Sequence, residues 1–455
     1  MLPLVEFPQI VQHYAPWFEA VFSAAALVQF QRYLSGLIIS ENKTVDGINR
    51  LLTASPFSEV ALNQQRLALL NSLEGTRVKP KGVLSVDDTL LTHYGQYFDE
   101  IAYLYDPVED RYTWAHNLVN LHYSDDQTDY PLHFQLWKPA DLEKIEQGLQ
   151  AAGIRLRESK FALKESNPKK WRQYLLGVWS RKQGNPEVAA LYQSKLLIAR
   201  HLLHKWVDEN PDLKLPVTFD NWYTQPAFCR FLDQELELPY VGTLASDDEV
   251  ILKRGRLTLE EFAEQLKQEH LQAVAAGGKP VFHKVGITYK GEKETYYSYC
   301  RTHRIHNFGK QRLVINFNQP DLSDSPSFYN SNRLYWQSVG ITRIRRHRWP
   351  VEVYHEEGKE EGLDKYQVRD FRAISRHIGL VAVAYSLLRA TPHDEALLHK
   401  LQRQLEMDLE GSTPFWRRAT QAQSLWALAC FINAGLTQGQ SLRELMAPLL
   451  AAVCY

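Results

Sequence analysis

Arg348-Trp349-Pro350-Val351-Glu352-Val353-Tyr354-His355-Glu356-Glu357-Gly358-Lys359 is the stretch on which the reading of this chain turns. Proline is tolerated in the first turn of a helix, where its missing N–H has no partner to lose. Pro350 therefore predicts a helix start with Glu352 in the first turn, close to the positive end of the helix dipole. At about 100° per residue, Glu352, His355, Glu356 and Lys359 fall along one stripe. One face of the helix then presents a carboxylate with a cation two turns on, and Arg348 flanks the start. His355 reads as an ordinary polar contact.

Outward from this helix the charge is segregated. Residues 284–348 hold twelve basic and four acidic side chains, whereas residues 352–365 hold six acids and two lysines. An anion-attracting stretch that runs into a carboxylate cluster suits phosphate chemistry with metal ions, because the bases hold the phosphates and the acids hold the cations. The totals, 52 Lys plus Arg against 53 Asp plus Glu, conceal this segregation.

Upstream, Gly82-Val83-Leu84-Ser85-Val86 reads as a short strand ending on Asp87-Asp88-Thr89, and Leu215-Pro216-Val217-Thr218-Phe219 as another ending on Asp220. Residues 118–123 and 130–137 read as a hairpin across Ser124-Asp125-Asp126-Gln127. Helical periodicity follows over 142–152 and 186–207, joined by an exposed basic linker with Lys160, Lys164, Lys169, Lys170 and Arg172, and a further strand at 240–244 comes next. Strands that alternate with helices and finish on acids imply a mixed α/β core with its chemistry at strand ends. Residues 246–332 break the pattern, with a short helix at 259–268 and strands at 284–289, 295–301 and 312–317, as an insertion with its own small sheet would. Long helices then return, with 379–388 as a buried helical segment and a boundary near Thr391-Pro392. At the other end, Leu27, Phe30, Tyr33, Leu34, Leu37, Ile38, Ile48, Leu51, Leu52, Leu67, Leu69 and Leu70 recur at helical spacing. The expected organisation is a helical domain over 1–79, a core over 80–245, a β-rich insertion over 246–334, a second part of the core over 335–391 and a helical region over 392–455.

Composition bounds the rest. With 455 residues, 44% hydrophobic and 23% charged, the chain is long and apolar enough for a large core, which excludes a disordered, collagen-like or disulfide-framework protein. Cys229, Cys300, Cys430 and Cys454 form no closely spaced pair of the zinc or redox type, so a reducing compartment is expected. Met1-Leu2-Pro3-Leu4-Val5-Glu6 lacks the basic start of a signal peptide, and no apolar run reaches the ~18 residues of a membrane span. A cytoplasmic protein is expected.

The order Arg348, three residues, Glu352, six residues, Lys359 resembles the signature of the DDE transposases of bacterial insertion sequences. The branch in question is the insertion sequence four / seven-hundred-one type, whose full signature is Tyr, two residues, Arg, three residues, Glu, six residues, Lys. Arg345 stands at the tyrosine position. Asp87-Asp88-Thr89, the strand ending in Asp220, and Gly362-Leu363-Asp364-Lys365-Tyr366-Gln367-Val368-Arg369 also look like this family. The resemblance covers residues 80–390 and is weakest at the two ends.

The resemblance implies a ribonuclease H-like mixed-sheet core, interrupted by a β-rich insertion before the third acid, with helical N- and C-terminal regions. It implies Asp88, Asp220 and Glu352 as catalytic carboxylates holding two Mg2+ ions, which Mn2+ can replace. Asp88 is chosen over Asp87 because it directly precedes Thr89. Arg348 and Lys359, with Arg345 as a lesser candidate, are expected to hold DNA phosphates. The implied activity is metal-dependent cleavage at insertion-sequence ends and transfer of the freed 3′ hydroxyl into target DNA. The implied partner is double-stranded DNA, with a homodimer on the two ends, a nucleoid location and help in DNA contact from the N-terminal helical domain. Two alternatives stand beside it: a domesticated DNA-binding descendant that does not cut, and a carbohydrate-active enzyme with a carboxylate pair. Trp222, just after Asp220, invites base stacking but reads as core.

Overall fold

The computed structural model describes residues 4–453 except 42, 44–47, 49–51, 54 and 254, with side chains described to 447. Leu51 and Cys454 lie outside the described residues. Twelve strands form one mixed sheet in the order β2-β3-β1-β5-β6-β12-β11-β10-β7-β8, with β4 also on β3 and β9 also on β10. Their ranges are β1 Val83–His93, β2 Ala102–Asp106, β3 Arg111–Ser124, β4 Asp129–Trp137, β5 Val217–Phe219 and β6 Tyr240–Thr243 in the core. Beyond it come β7 Glu249–Leu252, β8 Gly255–Thr258, β9 His283–Tyr289, β10 Glu292–Ile305, β11 Gly309–Phe317 and β12 Ser327–Ser331.

Parallel pairing is confined to the centre, where β5 lies between β1 and β6. Antiparallel β3 covers one side of this trio and antiparallel β12 the other. This mixed α/β arrangement is compatible with a ribonuclease H-like core. The second half of β3 is buried on both faces, which is why it reads as a run and not as an alternation. The insertion has its own apolar core of Val250, Phe262, Leu313 and Phe317 among others, but its sheet is not separate. Tyr329 and Asn330 of β12 pair with Thr243 and Gly242 of β6, so the insertion extends the core sheet.

The helices with functional bearing are α1 (Ala24–Ile39), α2 (Glu59–Ser72), α3 (Leu142–Ala151), α4 (Pro168–Arg181), α5 (Lys195–Glu209), α6 (Leu259–Ala275), α7 (Ser338–Arg346), α8 (Trp349–Glu360), α9 (Phe371–Ala390), α10 (Glu395–Leu405) and α11 (Thr413–Thr437). α9 is the central pillar. Asp370 caps it by accepting from the Ala373 N–H at 2.8 Å, and Ile374, Ile378, Val381, Leu387 and Leu388 are buried along it. Each such side chain contributes roughly 1.5–3 kcal/mol of hydrophobic stabilisation. The expected buried segment at 379–388 is the heart of this helix. Phe30, Leu37, Leu69, Leu401 and Trp416 share its apolar core with Leu84, Val217 and Phe219 of the sheet. The terminal helices are thus built onto the core of the sheet.

The basic linker expected between the two helical stretches is itself folded. α3, α4 and the short helix Pro186–Ala189 pack around Ile145, Leu149, Trp171, Leu175, Trp179 and Val188, a separate apolar cluster. Asn167 caps α4 by accepting from the Lys170 N–H.

Candidate active site

Sheet register brings the first acids together. Val86 on β1 is level with Phe219 on β5, so the next residues, Asp87 and Asp220, emerge together where the parallel pairing ends. Adjacent strands lie about 4.8 Å apart. The first strand does not stop at the aspartates as expected. Asp87 and Asp88 continue the ladder opposite Asn120 and Val119, and β1 runs on to His93 because β3 remains alongside it.

The third acid comes from α8, which starts where Pro350 implied. Pro350 sits in its first turn, Glu352 is the acid of that turn and Lys359 the base of the last. The approach to the helix is clamped to the sheet: Ser85 Oγ donates to the His347 carbonyl at 2.9 Å, and Ser124 Oγ lies 2.9 Å from His347 Nδ1. His355 is buried with Nε2 2.9 Å from Asn120 Nδ2, the polar contact expected of it. At the far end the Gly362 N–H donates to the Lys359 carbonyl at 3.1 Å and the Leu363 N–H to the Gly358 carbonyl at 2.8 Å. With Gly362 at φ +103°, these bonds close the helix as a Schellman cap and fix the turn that carries Lys359.

Arg348 links the strand to the helix. Its Nη1 donates to Asp87 Oδ2 at 2.6 Å while Nη2 donates to Glu352. Of the two neighbouring aspartates it is Asp87 that shares this cation with Glu352. Burial pushes the Asp87 carboxyl up, the Arg348 charge opposes this, and Asp220 and Asp88 add to the rise, leaving it at about 7. Asp220 is likewise raised by burial, against the pull of the Tyr223 N–H and Arg348, with Asp88 adding repulsion. Successive strand residues point to opposite faces, and Asp88 has its own partners. It accepts from Asn117 Nδ2 at 2.6 Å, Lys195 Nζ at 2.9 Å and the Tyr223 hydroxyl at 2.8 Å. Tyr223 also bridges to the second acid, its N–H donating to Asp220 Oδ1 at 3.1 Å.

Asn117, Lys195 and Tyr223 were not singled out from sequence. Only Tyr223 carried a signal, three residues beyond Asp220, where an aspartate commonly caps a turn. Trp222 is a correction: it is 43% exposed and not core, and the Lys195 ammonium lies 4.2 Å from its ring centre. Arg345 is turned inward. Its Nε donates to Thr243 Oγ1 at 2.8 Å, its guanidinium lies 5.7 Å from the Tyr329 ring, and burial lowers its pKa to about 10.

A family model described as DDE superfamily endonuclease matches residues 20–258, more than half of the chain. The chain belongs to this family. No curated protein matches it. In this DDE endonuclease the matched region holds Asp87, Asp88 and Asp220 and ends before Glu352. It begins within the N-terminal helices, in keeping with their place in the main apolar core.

The donor chemistry of this candidate site suits a hard divalent cation, since Asp87, Asp220 and Glu352 offer only carboxylate oxygens. Burial and mutual repulsion leave the first two short of positive charge, and Arg348 supplies part of it. Among the described residues, no three His, Cys, Asp or Glu side chains close around one point at ligand distance.

The basic stretch 284–348 is less available than its sequence suggested. Lys290 pairs with Asp129, Arg343 with Asp126, Arg346 with Glu294 through both nitrogens, and Arg348 with Asp87 and Glu352. Four of the twelve bases are thus engaged by carboxylates, three of them by acids from outside the stretch. Among the described residues, no helix is long and apolar enough to cross a membrane.

Proposed function

We propose that this DDE endonuclease is a DNA transposase of the insertion sequence four / seven-hundred-one branch, acting on the ends of its own element. The observation that carries the reading is Arg348 joining Asp87 to Glu352 beside Asp220, within the Arg-x3-Glu-x6-Lys helix. Three carboxylates drawn from two strands and a helix would hold two Mg2+ ions, or Mn2+ in their place. Bound there, the ions supply Lewis acidity for activating water and stabilising the leaving oxygen of an in-line displacement.

The chain's own residues do the positioning. Asp87 is the better first acid, because it faces Arg348 and Glu352, and Asp88 becomes the residue that locks Lys195, Asn117 and Tyr223 around the second strand. Arg348, expected from sequence to hold phosphate, instead fixes Asp87 against Glu352; Lys359 holds phosphate oxygens, and Arg345 shapes the wall behind it. In cleavage the water oxygen bonds to phosphorus and the 3′ oxygen leaves as a hydroxyl; in strand transfer the oxygen of that hydroxyl bonds to a target phosphorus as it loses its proton, and the target strand's own 3′ oxygen leaves and takes one up. Two element ends call for a homodimer on DNA, with the nucleoid as its place of work. The domesticated, non-cutting reading is disfavoured by the intact acids, which repel phosphate unless they hold cations.

The test is cleavage of duplex DNA bearing the sequences that flank the reading frame, with Mg2+ or with EDTA. Magnesium-dependent nicking at a fixed position, lost in Asp220→Ala and Glu352→Ala, is the expected result. Wild-type protein that binds these ends and never cuts them would return the reading to a DNA-binding descendant.

A further inference from the structure

Beyond residues 284–348, where Lys290, Arg343, Arg346 and Arg348 are spent on carboxylates, a second basic surface lies on the helical subdomain around α4. Residues 155–182 hold nine basic side chains, Arg155, Arg157, Lys160, Lys164, Lys169, Lys170, Arg172, Arg181 and Lys182, against two acids, Glu158 and Glu165. Among the described residues only Lys164 of the nine is paired with a carboxylate, that of Glu146. All but the half-buried Lys160 are exposed.

Their placement follows from how α4 is buried. Trp171, Leu175, Val178 and Trp179 fall at i, i+4, i+7 and i+8 and turn one face into the subdomain core. Lys169, Lys170 and Arg181 are left away from that face, and Arg172 borders it with its side chain exposed. Folding does not account for cations there: the first turn of α4 holds no acid, and basic residues at that end oppose the helix dipole. The cluster also repels itself. Surplus charge that local electrostatics disfavours is explained by an anionic partner.

We infer that this subdomain is a second DNA-binding surface, which grips the phosphate backbone of the duplex next to the cutting site. The inference rests on the transposase reading and adds to it the element that holds the flanking duplex. Proximity is built into the chain. Val188 of the subdomain core is seven residues from Lys195, whose ammonium is 2.9 Å from Asp88, and seven residues span at most about 25 Å. A duplex entering the site at the acids therefore passes the subdomain within about one helical turn. Contact there is to phosphates and so independent of base sequence.

The experiment measures binding by fluorescence anisotropy with a 30-base-pair duplex of arbitrary sequence, in EDTA, from 50 to 200 mM NaCl. The full-length wild type is compared with Lys169→Gln/Lys170→Gln/Arg172→Gln and, as an independent set, Arg155→Gln/Arg157→Gln/Arg181→Gln. Circular dichroism checks that each variant is folded. Each phosphate contact contributes about 0.9 to the slope of log affinity against log salt, so losing three flattens it by about 2.7. The expected result is that flattening in either variant, with affinity at least ~10-fold weaker at 50 mM salt. Wild-type affinity and slope in both folded variants overturn the inference and leave the transposase reading standing. A wild type that does not bind duplex DNA overturns both, as does binding only to anionic phosphatidylserine vesicles.

Discussion

Arg348 and Asp87 meet at 2.6 Å across the gap between helix α8 and strand β1, and the same guanidinium reaches Glu352 one turn into its own helix. One planar side chain thereby sets the distance between an acid of the sheet and an acid of the helix. The consequences can be tested one at a time.

Asp87 and Asp88 separate by role. Asp87→Asn is expected to lower cleavage by about 10³-fold or more, as loss of a group that acts directly on the reaction does. Asp88→Asn, which keeps its hydrogen-bonding shape toward Asn117 and Tyr223, is expected to cost 10–100-fold, the scale of a supporting contact. Single-turnover cleavage of an end-bearing duplex measures both. The reverse order of effects restores Asp88 as the first acid.

For Arg348, replacement by alanine should slow the chemical step about 10²–10³-fold, in line with removal of a fixed donor at a reacting anion. Lysine should rescue little, because a single ammonium cannot place two nitrogens on two carboxylates. Comparable rates for Arg348→Lys and wild type in rapid-quench assays would argue against the bridging role.

Asp129 gives a pH-dependent prediction remote from the acids. It is fully enclosed by Arg389 at the end of α9, Lys290 of the insertion and His122 of β3. Burial pushes its carboxyl up, but Arg389, the His122 contact and Lys290 override this and hold it well below the usual carboxylate range. A carboxyl depressed on folding adds stability above its unfolded pKa of about 3.9 and loses it as pH falls through the folded value. Asp129→Asn is therefore expected to cost about 3–5 kcal/mol at pH 7, because Arg389 is left buried without its counter-charge. That deficit should shrink below pH 4. Urea denaturation at pH 7 and pH 3.5 reports it, and an equal deficit at both values would refute the electrostatic origin.

At the C-terminus of α8, Gly362 has φ +103°, and an added Cβ would meet the Cβ of Lys43 at 3.1 Å. Gly362→Ala is expected to destabilise by roughly 1–2 kcal/mol through left-handed strain. It should also weaken DNA binding through loss of order at Lys359. Unchanged denaturation midpoints would show that the cap tolerates a side chain.

Local chemistry explains what was legible beforehand. Pro350 and the spacing from Arg348 to Lys359 specify a helix and its start through backbone rules alone, so that end of α8 could be read from the residues, whereas the cap at Gly362 emerges only from the structure. β-Strands around 83–86 and 217–219 were legible for the same reason. The choice between Asp87 and Asp88 was not, because adjacent strand residues differ only in which face they take, and the neighbours that mark each face, Arg348 for Asp87 and Asn117, Lys195 and Tyr223 for Asp88, come from other elements of the fold. Trp222 and the helix Pro168–Arg181, taken as linker, were misread because exposure and packing depend on partners that local pattern does not name.

Taken by itself, the sequence determined the start of the helix that bears Glu352, the central strands and the DDE superfamily, since each follows from residue order. Tertiary structure alone decided which aspartate faces Arg348, which cations are cancelled by distant acids and which stay bare on α4. Charge acts through space and not along the chain, so the twelve bases of residues 284–348 could be counted in the sequence, but their availability could not.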